Sequence, residues 1–284
     1  MSPGVGPNRG ATRWHNAAMP EDPYRVPGIR EYREAVQPAE ILGRKNYEHW
    51  LGPLVMRHLS PYVSRTCVRL GMSPNQVTGL MILTAVAAAA SLLVPGVWGP
   101  LLALGFGQLQ LLLDCADGEV ARWRKLTSPK GIFLDAVAHY TAEGLIPLFL
   151  GLRAALLVNP AQWQWAALGG ALSLLLIYNK VLNEMVHVAR AKYGLALIKE
   201  DPEAAAPVRS GVRRLRNLAN LLPIQRMFHW VELTFWCLLA GVTGLFVGQQ
   251  PAAVGLLMIL TPLAALTLAG HFVAIMSSSK LRAQ

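Results

Sequence analysis

Three carboxylates and one imidazole stand where an apolar helix should not have them: Asp114, Asp117, Asp135 and His139. At about 100° per residue, Asp114, Asp117, Gly118 and Ala121 fall at about 0°, −60°, +40° and −20° around a helix, so one stripe offers two carboxylates and two residues of almost no bulk. Carboxylates at i and i+3 can share a hard cation or bridge two. Gly131, Asp135 and His139 advance by four and also share a face. An ionised Asp inside a spanning helix costs roughly 2.5–3.5 kcal/mol on insertion scales, so it faces a polar cavity, a partner charge or a metal. For one Asp, an ion pair with Arg122 or Arg124 would suffice. Gly118 and Gly131, each taken singly, read as helix-packing glycines. Three carboxylates at regular spacing ask for a common ligand.

The elements that must carry these residues follow from composition. Of the 284 residues 53% are hydrophobic and only 15% charged, below the roughly 25% charged of a soluble domain. The apolar residues form blocks of about 20, the length that crosses roughly 30 Å of hydrocarbon. This predicts an all-α polytopic membrane protein with six spans at about 76–95, 99–117, 132–152, 162–182, 230–248 and 252–276. The net charge of +10 is therefore read as membrane topology rather than as a nucleic-acid surface. Cys67, Cys115 and Cys237 are odd in number and far apart, which excludes a disulfide scaffold.

Residues 1–24, rich in Pro, Gly and Asn, read as a disordered leader. Residues 25–74 mix Arg and Glu with Trp50, Leu51, Leu54, Val55 and Val68, the pattern of an amphipathic helix lying on the membrane. A membrane domain at 75–276 follows, interrupted by a long loop at 183–229, and 277–284 form a tail. Ten Lys and Arg precede the first span, four follow the second, nine lie between Lys180 and Arg226 and two in the tail, leaving Arg153 alone on the other side. Under the positive-inside rule both termini, the basic loops and the motif face the cytoplasm. Arg outnumbers Lys 19 to 7, a bias of GC-rich genomes that points to a bacterial inner membrane. Arg213, Arg214 and Arg216 with Leu215, Leu218 and Leu221 form a basic amphipathic stretch suited to anionic lipids, not nucleic acid.

In order, the segment reads Asp114-x2-Asp117-Gly118-x2-Ala121-Arg122-x8-Gly131-x3-Asp135-x3-His139. It closely resembles the CDP-alcohol phosphatidyltransferase signature DxxDGxxARx8GxxxDxxxD, with seven of the eight fixed positions filled. Pro74-Asn75-x2-Thr78 resembles the family's start to its first helix. The resemblance implies a six-helix membrane enzyme in phospholipid synthesis. It would use magnesium or manganese to transfer a phosphatidyl or phosphoalcohol group from a CDP-linked donor, such as CDP-diacylglycerol, to an alcohol hydroxyl, releasing CMP. By carry-over, Asp114, Asp117 and Asp135 are metal ligands for two ions, or for one given His139. Asn75, Thr78, Asp117, Gly118, Ala121, Arg122 and Gly131 serve the nucleotide. A homodimer is also implied.

The departure is His139, where the family has a fourth Asp as the proposed base. Neutral imidazole, with an unperturbed pKa of about 6.5, is a competent base at pH 7 and a metal ligand that suits zinc, iron or manganese better than magnesium. Glu143, one turn on, either orients the imidazole or pairs with a basic residue of another helix. The other reading of His139 is a disarmed site, in a paralogue that binds CDP-lipid or assists a partner enzyme. Lys180, Asn183, His187 and Arg190, at helical spacing near the end of the fourth span, would grip the polar acceptor. Membrane prenyltransferases lack the Gly-x2-Ala-Arg-x8-Gly frame, and a transporter would call for an inverted repeat, which is absent here.

Overall fold

A computed structural model of the chain describes residues 26, 28–38, 51–195, 227–278 and 281. The expected leader at 1–24, residues 39–50 of the interfacial segment, the basic stretch around Arg213 and most of the tail lie outside the described residues. Eight α-helices and no strand are present among the described residues: α1 (Ile29–Val36), α2 (Arg57–Arg69), α3 (Pro74–Ser91), α4 (Trp98–Arg124), α5 (Pro129–Leu156), α6 (Trp163–Lys192), α7 (Trp230–Val247) and α8 (Gln249–Ser277), with a π-helical turn at Gly52–Met56 leading into α2. The all-α expectation holds. Each predicted span lies on a helix. Among the described residues, α4, α6, α7 and α8 are long and apolar enough to cross a membrane, which marks a membrane protein. The polar first turn of α3 (Pro74, Asn75, Gln76) and the Lys130, Asp135, His139, Glu143 and Arg153 of α5 dilute the apolar character of those two helices.

The chain divides into two compact units, residues up to Met81 with Gln110–Asp135, and Ile82–Leu109 with Ala136–Gln284. In the first, α1 buries Tyr32, Ala35 and Val36, and the Tyr32 ring meets Trp123 of α4 at 5.1 Å between centroids. The α2 helix is unusual in what it hides: Ser60, Ser64, Cys67 and Val68 face inward while Leu54, Leu59, Tyr62 and Leu70, along it and its flanks, are exposed. It ends at Gly71, whose positive φ of 75° suits glycine, and Arg124 donates to the carbonyls of Gly71 (3.2 Å) and Val68 (3.3 Å). Helix α3 then starts with a reciprocal cap. The Gln76 N–H donates to Ser73 Oγ (3.3 Å) and the Ser73 N–H to Gln76 Oε1 (2.7 Å).

In the second unit α8 packs against α6 and α7. Small residues let backbones meet. A Cβ built on Gly151 of α5 would lie 2.7 Å from the Cα of Gly169 in α6, and one on Gly107 would lie 2.9 Å from Thr234 Cγ2. Arg153, expected alone on the far side, is buried and makes four hydrogen bonds through its two Nη atoms. Its guanidinium donates to the carbonyls of Leu92 (2.7 Å), Val94 (2.8 Å) and Gly96 (2.6 Å) and to Gln249 Oε1 (2.8 Å). It thereby satisfies carbonyls of the turn that follows α3. Helix α6 runs on to Lys192, so the first ten residues expected as loop are helical. Past Gly170 no Gly or Pro occurs before Gly194, whose φ of 79° ends the helix.

Candidate active site

The motif begins within the last three turns of α4, and α5 carries its second half. Ser128 starts α5 by accepting the Gly131 N–H at 3.1 Å. Asp114 and Asp135 each bring a carboxylate oxygen within 4.8 Å of the other, and His139, one turn beyond Asp135 on the same unbroken helix, offers a ring nitrogen within the same distance. All three are half-buried. Two carboxylate oxygens and an imidazole nitrogen at this spacing form a donor set that could bind a divalent ion. The donor chemistry fits manganese as well as magnesium, because one ligand is nitrogen.

Asp117, three residues past Asp114 on α4, is also held by another helix. It is buried, and its Oδ2 accepts a hydrogen bond from Thr78 Oγ1 at 2.8 Å. Thr78 Oγ1 also lies 3.2 Å from the Pro74 carbonyl, but its single proton serves the nearer acceptor. Asn75 lies beside Gly131, where an added Cβ would stand 3.5 Å from both Asn75 Oδ1 and Ser128 Oγ. Arg122 folds back along α4, placing Nη1 3.2 Å from where a Gly118 Cβ would be. Its Nε donates to the Val36 carbonyl at the end of α1 (2.8 Å). Ala121 is half-buried on the same helix.

Residues 71–198 match the family model for CDP-alcohol phosphatidyltransferase. They form a CDP-alcohol phosphatidyltransferase domain. No curated protein matches the chain. A domain of this family transfers a phosphatidyl group from a CDP-alcohol and is generally metal-dependent, which agrees with the Asp114, Asp135 and His139 donor set.

Of the acceptor candidates, Lys180 has its Nζ 2.9 Å from Glu143 Oε1 and 5.3 Å from the centre of the Tyr140 ring. Of the two roles open to Glu143, pairing with a basic residue of another helix is the one seen. Asn183, His187 and Arg190 lie on the following turns of α6, Asn183 exposed and the other two half-buried. Asn179 Oδ1 meets His271 Nδ1 of α8 at 2.8 Å, a pairing between distant helices that residue spacing could not reveal.

The transferase domain also holds a carboxylate that motif reasoning passed over. Glu119, directly after Gly118, is fully buried. It accepts from Gln37 Nε2 (2.8 Å), Ser60 Oγ (2.6 Å) and Ser64 Oγ (2.6 Å), with Arg57 Nη1 at 4.0 Å. The signal in the sequence was an acidic residue inside an apolar helix, with serines at i and i+4 of a separate helical segment.

Proposed function

We propose that this protein transfers a phosphatidyl or phosphoalcohol group from a CDP-activated donor, CDP-diacylglycerol, to the hydroxyl of a polar alcohol, releasing CMP, in phospholipid synthesis. The carrying observation is the Asp114, Asp135 and His139 donor set inside the segment that matches the family. Asp114, Asp117 and Asp135 would hold magnesium or manganese, which when bound neutralises the donor's diphosphate charge, and the His139 imidazole would serve as base rather than as ligand. Asn75, Thr78, Gly118, Ala121, Arg122 and Gly131 accept the cytidine nucleotide, the small residues leaving room against the backbone. The acceptor oxygen forms a bond to the phosphorus of the transferred group as the bond from that phosphorus to CMP breaks. The hydroxyl proton passes to a ring nitrogen of His139. Asn183, His187 and Arg190 face the acceptor's polar head. Six helices, α3 to α8, cross the cell membrane, with both termini and the site on the cytoplasmic side, and the outward apolar residues of α2 rest among anionic lipids.

The test is CMP release by the purified full-length protein in liposomes, with CDP-diacylglycerol, manganese or magnesium and a pool of polar alcohols, beside Asp114→Asn. CMP that requires metal and acceptor and is lost in the variant supports the reading. The departure at His139 favours a second reading, a CDP-lipid binder that does not turn over. Metal-dependent donor binding without CMP under any acceptor would establish that one.

A further inference from the structure

Glu119 costs too much to be a bystander. A fully buried carboxylate needs its oxygens satisfied, and here a whole helical face is given over to that task. Ser60 and Ser64, one turn apart on α2, both point inward to Glu119, at 2.6 Å each. Gln37, just past the end of α1, spends one amide proton on Glu119 Oε1 (2.8 Å) and the other on the Arg57 carbonyl (2.9 Å). One carboxylate therefore ties α1 and α2 to the stretch of α4 that carries Asp117, Gly118 and Arg122. A second tie runs the other way: the Val36 carbonyl, adjacent to Gln37, accepts from Arg122 Nε at 2.8 Å while the Arg122 guanidinium lies over Gly118. The Tyr32 ring packed on Trp123 completes the seat of α1.

We propose that Glu119 is a positioning residue for the nucleotide site: by docking α1 and α2 on α4 it fixes the Val36 carbonyl, which in turn holds Arg122 across Gly118. The inference rests on the nucleotide role assigned to Arg122 above. The carboxylate touches neither substrate nor metal; it sets where the guanidinium stands, so its loss weakens donor binding more than it slows chemistry.

The experiment uses the full-length protein in liposomes. Glu119→Gln keeps the shape but turns one acceptor into a donor facing the Gln37 amide or a serine hydroxyl. Expected are a rise of about tenfold in KM for CDP-diacylglycerol, the effect of one lost charge-assisted hydrogen bond, with kcat within about threefold. Trypsin should also gain access at Arg57, Arg65 and Arg69. The reciprocal pair Gln37→Glu with Glu119→Gln restores a carboxylate–amide contact and should return KM and protection towards wild type, a rescue that a general packing defect would not show. A folded Glu119→Gln protein with wild-type KM and unchanged cleavage overturns the proposal, and so does a swap that rescues neither. If Glu119→Gln does not fold, Ser64→Ala removes one donor from the α2 side and should raise KM about threefold; an unchanged KM there overturns it. If the wild type releases no CMP, the functional reading has failed separately. Metal-dependent binding of CDP-diacylglycerol then decides, tenfold weaker in Glu119→Gln if the inference holds and equal if it does not.

Discussion

Thr78 Oγ1 lies 2.8 Å from Asp117 Oδ2, so the second turn of α3 holds a motif carboxyl group of α4 by a hydrogen bond. Both groups are buried, and such a bond contributes roughly 0.5–1.5 kcal/mol. Thr78→Val preserves the branched shape and removes only the donor. It should raise KM for the CDP-linked donor by about tenfold, measured by CMP release across a donor titration. Thr78→Ser, which retains the hydroxyl, should stay within about threefold of wild type. Equal KM for the valine and serine variants would show that the bond has no part in donor binding.

The helices and the motif were legible because each rests on local periodicity. Apolar blocks of span length locate α3 to α8, and the i, i+3 and i, i+4 spacings place Asp114 beside Asp117 and Asp135 beside His139. What could not be read is which long-range partner satisfies each polar group. Asp117 turned out to belong with Thr78, Glu143 with Lys180, and Arg153 with three carbonyls and Gln249. Glu119 was overlooked because its donors lie 55, 59 and 82 residues away in the chain. The continuation of α6 to Lys192 was legible in the helical spacing of Lys180, Asn183, His187 and Arg190, although the apolar block ends earlier, and Gly194 ends the helix.

The Glu143–Lys180 pair is a test of stability rather than of chemistry. Glu143 is 7% exposed, and Nζ and Oε1 are 2.9 Å apart. The Lys180 side chain is 29% exposed, so removing one partner costs less than the roughly 3–5 kcal/mol of a fully buried pair but still leaves the other charge without compensation, whereas replacing both is often near neutral. Glu143→Leu and Lys180→Met should therefore each lower the unfolding midpoint in detergent clearly, and the double variant should recover most of the loss. A double variant no better than the worse single one would mean that the two charges are not coupled.

Gly151 and Gly169 mark the closest approach of α5 and α6. A Cβ on Gly169 would stand 2.6 Å from the Gly151 Cα and 2.7 Å from the Pro147 carbonyl oxygen, and backbone cannot yield as a flexible side chain can. Gly169→Val should push the helices apart and destabilise by about 1–3 kcal/mol or more, with a lower yield of folded protein on size exclusion. Gly170→Val is the control, since a Cβ there meets only Leu148 Cδ1, at 3.9 Å. Similar behaviour of the two variants would contradict the packing described.

His139 is where the mechanism is most exposed to refutation. Its ring nitrogen lies within 4.8 Å of carboxylate oxygens of Asp114 and Asp135, and in the proposed reaction it takes the acceptor's proton instead of binding the metal. The two roles, base and ligand, separate experimentally. If the proton is what matters, His139→Ala should lower kcat by about 10²–10⁴, leaving manganese binding by the substrate-free protein within a few fold. His139→Asp, which supplies another base one turn beyond Asp135, should recover most of the rate. If His139 is chiefly a ligand, manganese affinity falls in His139→Ala by a larger factor than kcat measured at saturating metal. Turnover at the wild-type rate in His139→Ala would remove the imidazole from both roles and leave Asp114, Asp117 and Asp135 to carry the site.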